Sequence, residues 1–262
     1  MTHLTGQKAR VHQFWSQEPC GTGDNPHPPS SREYFAWVER QRDQREPFIA
    51  TFARWPEWRG QRILEMGTGA GTDFIRFVRA GADAYGVDLT DAGIGLVRRR
   101  LALENLHANL MVGDVEQLPF PDNHFDYVYS WGVIHHTENT PAAAREAVRV
   151  LKPGREFCVM IYHRHSLYCL QGYLMYGLLK GRPLASIDDI ARERFESFGT
   201  KVYTEAGARA LFPGIDVTIS HVLTPYDLRY TRTRYLPPFV QRVVPSYLGY
   251  FMVIQGRKPP AR

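Results

Sequence analysis

The residues that indicate chemistry most clearly are a glycine-rich turn and two acidic side chains that follow it at intervals. The turn is the segment EMGTGAG at positions 65–71, directly after a short apolar stretch. Glycines at such a turn let the backbone bend sharply and approach a ligand closely. Asp88 and Asp114 end the next two apolar stretches. Carboxylates in these places can accept hydrogen bonds from ribose hydroxyls and from an adenine amine. The pattern predicts a site for a nucleoside compound.

The spacing within the turn excludes two common nucleotide-binding motifs. A dinucleotide-binding turn requires Gly or Ala five positions after its first glycine, where this chain has Thr72. A triphosphate-binding loop requires Gly-Lys followed by Ser or Thr, and that sequence does not follow here. The nucleoside compound is therefore expected to be neither a dinucleotide nor a triphosphate.

An alternation of strand and helix patterns must position these residues. Strand patterns at 62–67, 84–89, 110–113, 126–130 and 156–162 alternate with helix patterns at 72–80, 91–104 and 141–151. This alternation predicts a parallel, doubly wound α/β sheet of the Rossmann-like class. In such sheets the ligand lies at the carboxyl ends of the strands, at the point where the strand order reverses.

Further elements flank this core. Helices are predicted at 32–45, with Ser31 as the N-cap, and at 47–55. Helix patterns at 166–180 and 187–198 precede strand patterns at 215–223 and 249–255. We therefore expect four segments, which are an N-terminal helical lid (1–60), a cofactor-binding core (61–164), a helical cap insertion (165–214) and terminal strands (215–262).

The composition excludes several classes of protein. The 262 residues carry a formal net charge of +5, well short of a dedicated nucleic-acid-binding composition. Three scattered cysteines suit neither a disulfide framework nor a zinc site, and no metal is expected. No apolar run reaches the length of about 18 residues that a membrane span requires. We expect a cytoplasmic protein, with peripheral membrane contact and the oligomeric state left open.

Five motifs in order resemble those of the class I S-adenosylmethionine-dependent methyltransferases. They are LEMGTGAGT (64–72), GVDL (86–89), GDVEQLPF (113–120), FDYVYS (125–130) and RVLKPG (149–154). The one departure is Arg155, where the family often has a second glycine. The resemblance implies a seven-stranded sheet with its last strand antiparallel and S-adenosyl-L-methionine as the cofactor.

The resemblance also implies roles for individual residues. Residues implied for the cofactor are Glu65, Gly67, Thr68 and Gly69 at the methionine part, Asp88 and Leu89 at the ribose, Asp114 and Val115 at the adenine, and Ser130 and Trp131 below the sulfonium. A cofactor without phosphate groups explains why the glycine turn contains no Lys or Arg.

Side chains after the fourth and fifth strands are candidates for a general base, which methyl transfer needs only where the acceptor must lose a proton. His135 and His136 follow the fourth strand, and Tyr162 and His163 end the fifth. A structural role for the two adjacent histidines stays open. His163 and His165 share one face of a strand, but no third metal ligand is evident nearby.

The N-terminal segment FWSQEPCGT (14–22) resembles one found in a subset of bacterial methyltransferases. It is expected to fold over the cofactor as a lid, although a peripheral helix packed on the sheet is equally compatible with the pattern. Trp15, Tyr34 and His163 are the expected substrate contacts.

Together these features predict methyl transfer to an O or N atom of a small-molecule acceptor of natural-product, aromatic or amino-acid-derived type, as in secondary metabolism. Two alternatives remain. One is an RNA methyltransferase that uses the Tyr- and Arg-rich stretch after residue 225, although nucleic acid is the less favoured partner. The other is a cofactor-binding regulatory protein without catalysis.

Overall fold

A computed structural model of the chain describes residues 6–228 and 243–260, and its centre is a mixed β-sheet. The strands are β1 (Arg62–Met66), β2 (Asp83–Asp88), β3 (Asn109–Val112), β4 (Phe125–Trp131), β5 (Leu151–Tyr162), β6 (Val217–Val222) and β7 (Phe251–Arg257). Their order across the sheet is β3-β2-β1-β4-β5-β7-β6. Strands β1 to β5 are parallel, and β7 is antiparallel to both of its neighbours. The predicted fold class is confirmed.

Helices lie before the first strand, against the faces of the sheet, and in an insertion between β5 and β6. They are α1 (Gly6–Gln17), α2 (Arg32–Arg45), α3 (Ile49–Ala53), α4 (Phe74–Arg79), α5 (Asp91–Glu104), α6 (Thr140–Val150), α7 (Leu167–Gly172), α8 (Ile187–Arg194) and α9 (Glu205–Ala210). Side-chain caps explain where two of them begin, since Ser31 accepts from the Tyr34 N–H and Thr90 from the Gly93 N–H. Both helices have their predicted bounds.

The core lies on both faces of the central strands. Every residue of β4 is buried, as expected for a strand covered on both sides. Its tyrosines Tyr127 and Tyr129 pack with Phe77 of α4, and Trp58 stacks on Tyr127 with 3.9 Å between ring centroids. On the opposite face, Val128 packs with Leu64 and with the alanines of α6. This packing holds the carboxyl ends of β1 and β4 in fixed positions.

Several predicted bounds differ from the structure. The single helix predicted at 166–180 is a short α7 followed by a π-helical turn, Tyr173–Gly177, and a 3-10 turn, Leu178–Lys180. The helix predicted at 187–198 ends at Arg194, because the next residue, Phe195, has an extended backbone (φ −94°, ψ 117°). The strand predicted at 156–162 begins earlier, since β5 runs from Leu151 to Tyr162.

Among the described residues, none of the helices is long and apolar enough to cross a bilayer. The cytoplasmic location and the four-segment division stay predictions from the sequence.

Candidate functional site

A cavity of about 730 Å³ lies at the carboxyl ends of β1, β2 and β4. The chain runs to β2 on one side of β1 and to β4 on the other, so this is the point where the strand order reverses. Helices α1 and α2 contribute to its walls, together with Tyr168 of α7 and aromatic residues near β7. The cavity therefore lies at the edge where the sequence predicts the ligand site.

The glycine turn between β1 and α4 forms the floor of the cavity. Gly67 has φ +82°, and a Cβ atom there would lie 2.3 Å from a methyl carbon of Val133. Its N–H donates to the Val87 carbonyl at 2.7 Å, which ties the turn to β2. Gly69 also has a positive φ, of +50°. Only glycine combines this conformation with this close packing, and the turn leaves its backbone facing the cavity.

Asp88 connects the turn to the next helix. One carboxylate oxygen accepts from the Gly69 N–H at 2.8 Å, and the other accepts from the Thr90 N–H and hydroxyl at 2.9 and 2.8 Å. The carboxylate lines the cavity and is mostly buried. The oxygen bonded to Gly69 accepts only this one bond and has a second lone-pair direction, so Asp88 can still accept from the ribose hydroxyls while it keeps these bonds.

A cluster of buried charges lies beside the turn. Arg42 of α2 forms ion pairs with Asp73 at 2.8 Å and with Glu46 at 3.1 Å. Three buried atoms of this cluster have no hydrogen-bond partner among the described residues, namely Arg42 Nε, Glu65 Oε2 and Asp73 Oδ1. Burial and the neighbouring Asp73 raise the pKa of Glu65 well above its usual value. The cluster presents unsatisfied groups of both signs, which suits a ligand that carries an ammonium and a carboxylate.

The opposite end of the cavity is acidic and is covered by α1. Lys8 of α1 forms ion pairs with Asp114 at 2.5 Å and with Glu116 at 3.1 Å. Asp114 and the apolar Val115 follow β3 and line the cavity. This end therefore offers a carboxylate and an apolar surface to a base, and α1 encloses it.

Nine of the ten residues implied for the cofactor line this cavity. They are Glu65, Gly67, Thr68, Gly69, Asp88, Leu89, Asp114, Val115 and Trp131. Ser130 is fully buried away from the cavity, and its hydroxyl donates to the Met66 carbonyl at 3.2 Å. Arg42, Glu46 and Asp73 were missed, although an arginine within an aromatic helix and an acid just after the glycine turn were visible signals.

A second polar cluster faces the cavity near α8. The Tyr162 hydroxyl donates to Glu196 at 2.7 Å, and His136 Nε2 lies 3.3 Å from the same carboxylate oxygen. Ser197 Oγ lies 2.9 Å from His136 Nδ1. Burial raises the pKa of Glu196, but the hydrogen bonds and charge of His136 and the Tyr162 hydroxyl outweigh it and hold the pKa below its usual value.

Glu196 has two features typical of a functional residue. Its left-handed backbone is strained for a residue with a side chain, and such strain accumulates at binding and catalytic sites. Neighbouring residues pack around the Glu196 side chain, but 42% of its surface remains accessible, because the carboxylate faces the cavity. Glu196 was not predicted from the sequence, because it lies 34 residues beyond Tyr162 in the insertion between β5 and β6. The local sequence pattern does not specify how this insertion packs against the sheet.

The other two predicted base candidates do not line the cavity. His135 is fully buried beneath the Tyr162 ring, and burial lowers its pKa well below the usual value. His163 follows Tyr162 directly, and neighbouring residues of a strand point to opposite faces. It packs 4.3 Å from the His221 ring, and burial with His221 nearby lowers its pKa to about 4. No cluster suited to a metal ion occurs in the described chain.

The predicted substrate contacts also divide into residues that line the cavity and residues that do not. Trp15 of α1 lines the cavity, and its ring lies 5.6 Å from that of His136. Tyr34 does not line the cavity and packs with Phe35 and Val38 of α2 and with Ala70. Most of the Tyr- and Arg-rich stretch, residues 229–242, lies outside the described residues.

Comparisons with known proteins point to the same chemistry as the cavity. A family described as "Methyltransferase domain" matches residues 64–159. A ubiquinone/menaquinone biosynthesis C-methyltransferase of Dinoroseobacter shibae is 40% identical over 105 residues, which cover 38% of this chain and 42% of the relative. A phthiotriol/phenolphthiotriol dimycocerosates methyltransferase of Mycobacterium leprae is 38% identical over 97 residues, 36% of this chain and 35% of the relative.

The chain thus spans less than half the length of these two curated relatives. Among solved structures, the magnesium protoporphyrin IX methyltransferase of Synechocystis, determined with bound S-adenosylmethionine, has a TM-score of 0.58. The two share 14% sequence identity, and the likeness covers 98% of this chain and 100% of the other. At this identity the likeness shows the fold alone.

Proposed function

We propose that the chain is a class I S-adenosylmethionine-dependent methyltransferase, as the methyltransferase-domain match over residues 64–159 supports, and that it methylates a lipophilic aromatic small molecule that carries an ionisable hydroxyl group. The observation that carries this proposal is the Glu196, Tyr162 and His136 cluster, which faces a cavity lined by aromatic rings. Those rings belong to Trp15, Trp131, Tyr162, Tyr168, Tyr226, Tyr250 and Phe251. The names of the two curated relatives, which refer to quinones and phenolic lipids, support an acceptor of this class.

The cavity fits S-adenosyl-L-methionine at three places. Glu65, Asp73 and Arg42 would face its ammonium and carboxylate with the groups that now lack partners. Asp88 would accept the ribose hydroxyls, and Asp114 and Val115 would contact the adenine once Lys8 shares the Asp114 carboxylate. When bound, the cofactor supplies an electrophilic methyl group.

Glu196 is the proposed general base. Its carboxylate would accept the hydroxyl proton of the acceptor, and the deprotonated oxygen is a stronger nucleophile for the methyl group. The Tyr162 hydroxyl and His136 would hold the carboxylate in place through the bonds already described. The aromatic lining would exclude water and orient the acceptor ring.

The methylated atom is proposed to be this oxygen, within the O or N class that the sequence predicts. A ring carbon next to the same hydroxyl is the second candidate, because the Dinoroseobacter relative is named a C-methyltransferase. Removal of the same proton activates either atom, so Glu196 serves both.

The test is transfer of a labelled methyl group to a panel of phenols, catechols and short-chain quinols, with the product atom identified by NMR. Glu196→Gln should lower kcat by about 10²- to 10⁴-fold, the usual contribution of a general base, without changing cofactor affinity. Glu193→Gln is the matched control, because Glu193 pairs with Arg182 on the surface of α8.

The pH profile gives a second readout. Since the pKa of Glu196 is lowered, its carboxylate is charged at neutral pH, and kcat should fall only as the pH drops below that depressed value. A Glu196→Gln enzyme within twofold of the parent would refute the assigned base. Transfer to RNA but to none of the aromatic acceptors would favour the RNA alternative.

A further inference from the structure

The helical insertion between β5 and β6 carries a concentrated set of exposed apolar side chains. Six of the twelve exposed large apolar residues in the described structure lie within positions 170–184. We call this set the apolar face, and it consists of Leu170, Leu174, Met175, Leu178, Leu179 and Leu184. Leu179 and Leu184 are 77% and 97% exposed. Single exposed leucines are ordinary, but a cluster of them marks an interaction surface.

The spacing of these residues places most of them on one side of the insertion. Leu170, Leu174 and Leu178 follow at intervals of four, and Met175 and Leu179 lie beside them, as on one side of a helix. The opposite side is already used for packing. Buried Gly172 and Gly177 lie against Phe195 and Ile190, since a Cβ at either glycine would come within 3.1 Å of those rings or methyls. The apolar face therefore contributes little to the protein core.

The charges around the apolar face favour an anionic partner. The acidic side chains of α8 and its cap are engaged internally, since Asp188 pairs with Arg164, Glu193 pairs with Arg182, and Asp189 caps the helix at Ser186. Lys180 lies within the same segment and Arg194 lies over the Tyr176 ring, and neither forms an ion pair with any residue in the described ranges. A partner that offers an apolar layer beneath anionic groups matches both the exposed leucines and these two cations.

We propose that the apolar face docks on the surface of a lipid bilayer that contains anionic lipids. The leucines and Met175 would enter the boundary between headgroups and acyl chains, while Lys180 and Arg194 would contact lipid phosphates. Since no described helix can span a bilayer, the attachment is peripheral. Tyr168, on the same short helix as Leu170, lines the cavity. If the acceptor is lipophilic, as the proposed function has it, docking would bring the cavity next to an acceptor dissolved in the bilayer.

The test is flotation of the full chain with vesicles of phosphatidylcholine alone or mixed with phosphatidylglycerol. The parent chain should float with the mixed vesicles, and less as salt is raised, because salt screens the headgroup charge. The triple variant Leu174→Gln, Leu178→Gln and Leu179→Gln should lose at least tenfold in vesicle binding. Its affinity for S-adenosylmethionine should be unchanged, which separates this proposal from the proposed function.

The matched control is Met111→Gln, Val112→Gln and Tyr247→Gln, which alters three exposed apolar residues elsewhere and should float like the parent. The proposal is overturned if the parent floats with neither vesicle, or if the triple variant floats as well as the parent. It is also overturned if sedimentation velocity shows a parent dimer that the triple variant converts to monomer, because the face would then bind a second copy of the chain.

Discussion

At the residue scale, the charged side chains of the cavity differ in how far the sequence specifies them. Asp88 ends β2 and Asp114 follows β3, so the register of the sheet alone brings them to one edge, and their positions could be predicted. Arg42 and Glu196 come from a helix and an insertion that reach the site by tertiary packing. Their contacts depend on how whole elements dock, which no local spacing encodes, and only the structure identifies them.

Glu65 provides a prediction about stability and binding together. Its pKa is raised by burial and then by Asp73, so the folded chain disfavours the charged carboxylate that the unfolded chain carries above a pH of about 4.3. Stability is therefore lost as the pH rises from that ordinary value through the raised one. Glu65→Gln should increase the free energy of unfolding at pH 7, without cofactor, by about 1 kcal/mol.

The same substitution should weaken cofactor binding by about 1–3 kcal/mol, because a hydrogen bond to a charged group is lost. Urea unfolding at pH 7 and at pH 4 measures the first effect, and the stability difference should shrink at the lower pH. Glu57→Gln, at an exposed site, is the control. A less stable Glu65→Gln chain at pH 7 would contradict the assigned pKa direction.

At the element scale, the strands and the glycine turn determine which side chains face the cavity more precisely than the sequence pattern predicts. The pattern identified the end of β5 correctly but did not decide which of Tyr162 and His163 faces the cavity. Alternation along the strand assigns Tyr162 to the cavity and His163 to the cluster with His221. Gly172 and Gly177 were likewise visible in the sequence, but their packing partners on and just after α8, Ile190 and Phe195, were not.

The glycine turn is tested by a pair of alanine substitutions with the same backbone cost. Gly67 and Gly154 have φ of +82° and +73°, so alanine at either should cost about 1–2 kcal/mol. Gly154 has open space around its position, whereas a Cβ at Gly67 would meet Val133. Gly67→Ala should therefore be the less stable by roughly another 1–3 kcal/mol, the usual cost of overpacking.

Thermal unfolding of the two variants measures this difference, and titration with cofactor measures its consequence. Only Gly67→Ala should lose cofactor affinity, because only Gly67 lines the cavity. Equal stability and equal affinity of the two variants would show that the close approach to Val133 has no role.

At the scale of the whole molecule, the sheet is extended by helices that precede β1 and by a helical insertion that follows β5. The seven strands and the antiparallel β7 were predicted, because the family resemblance implies them. The way α1 covers the Asp114 end of the cavity through Lys8, and the way the insertion supplies Glu196 while exposing its leucines, could not be predicted. Both depend on contacts between elements far apart in the chain.

The central claim is that this cavity holds S-adenosylmethionine, and calorimetric titration with S-adenosylhomocysteine tests it most directly. The full chain should bind one equivalent, and Asp88→Ala should weaken binding by about 1–3 kcal/mol. Asp91→Ala, at an exposed position three residues further on, should bind like the parent. Absence of binding by the parent chain, or unchanged affinity in Asp88→Ala, would contradict the account.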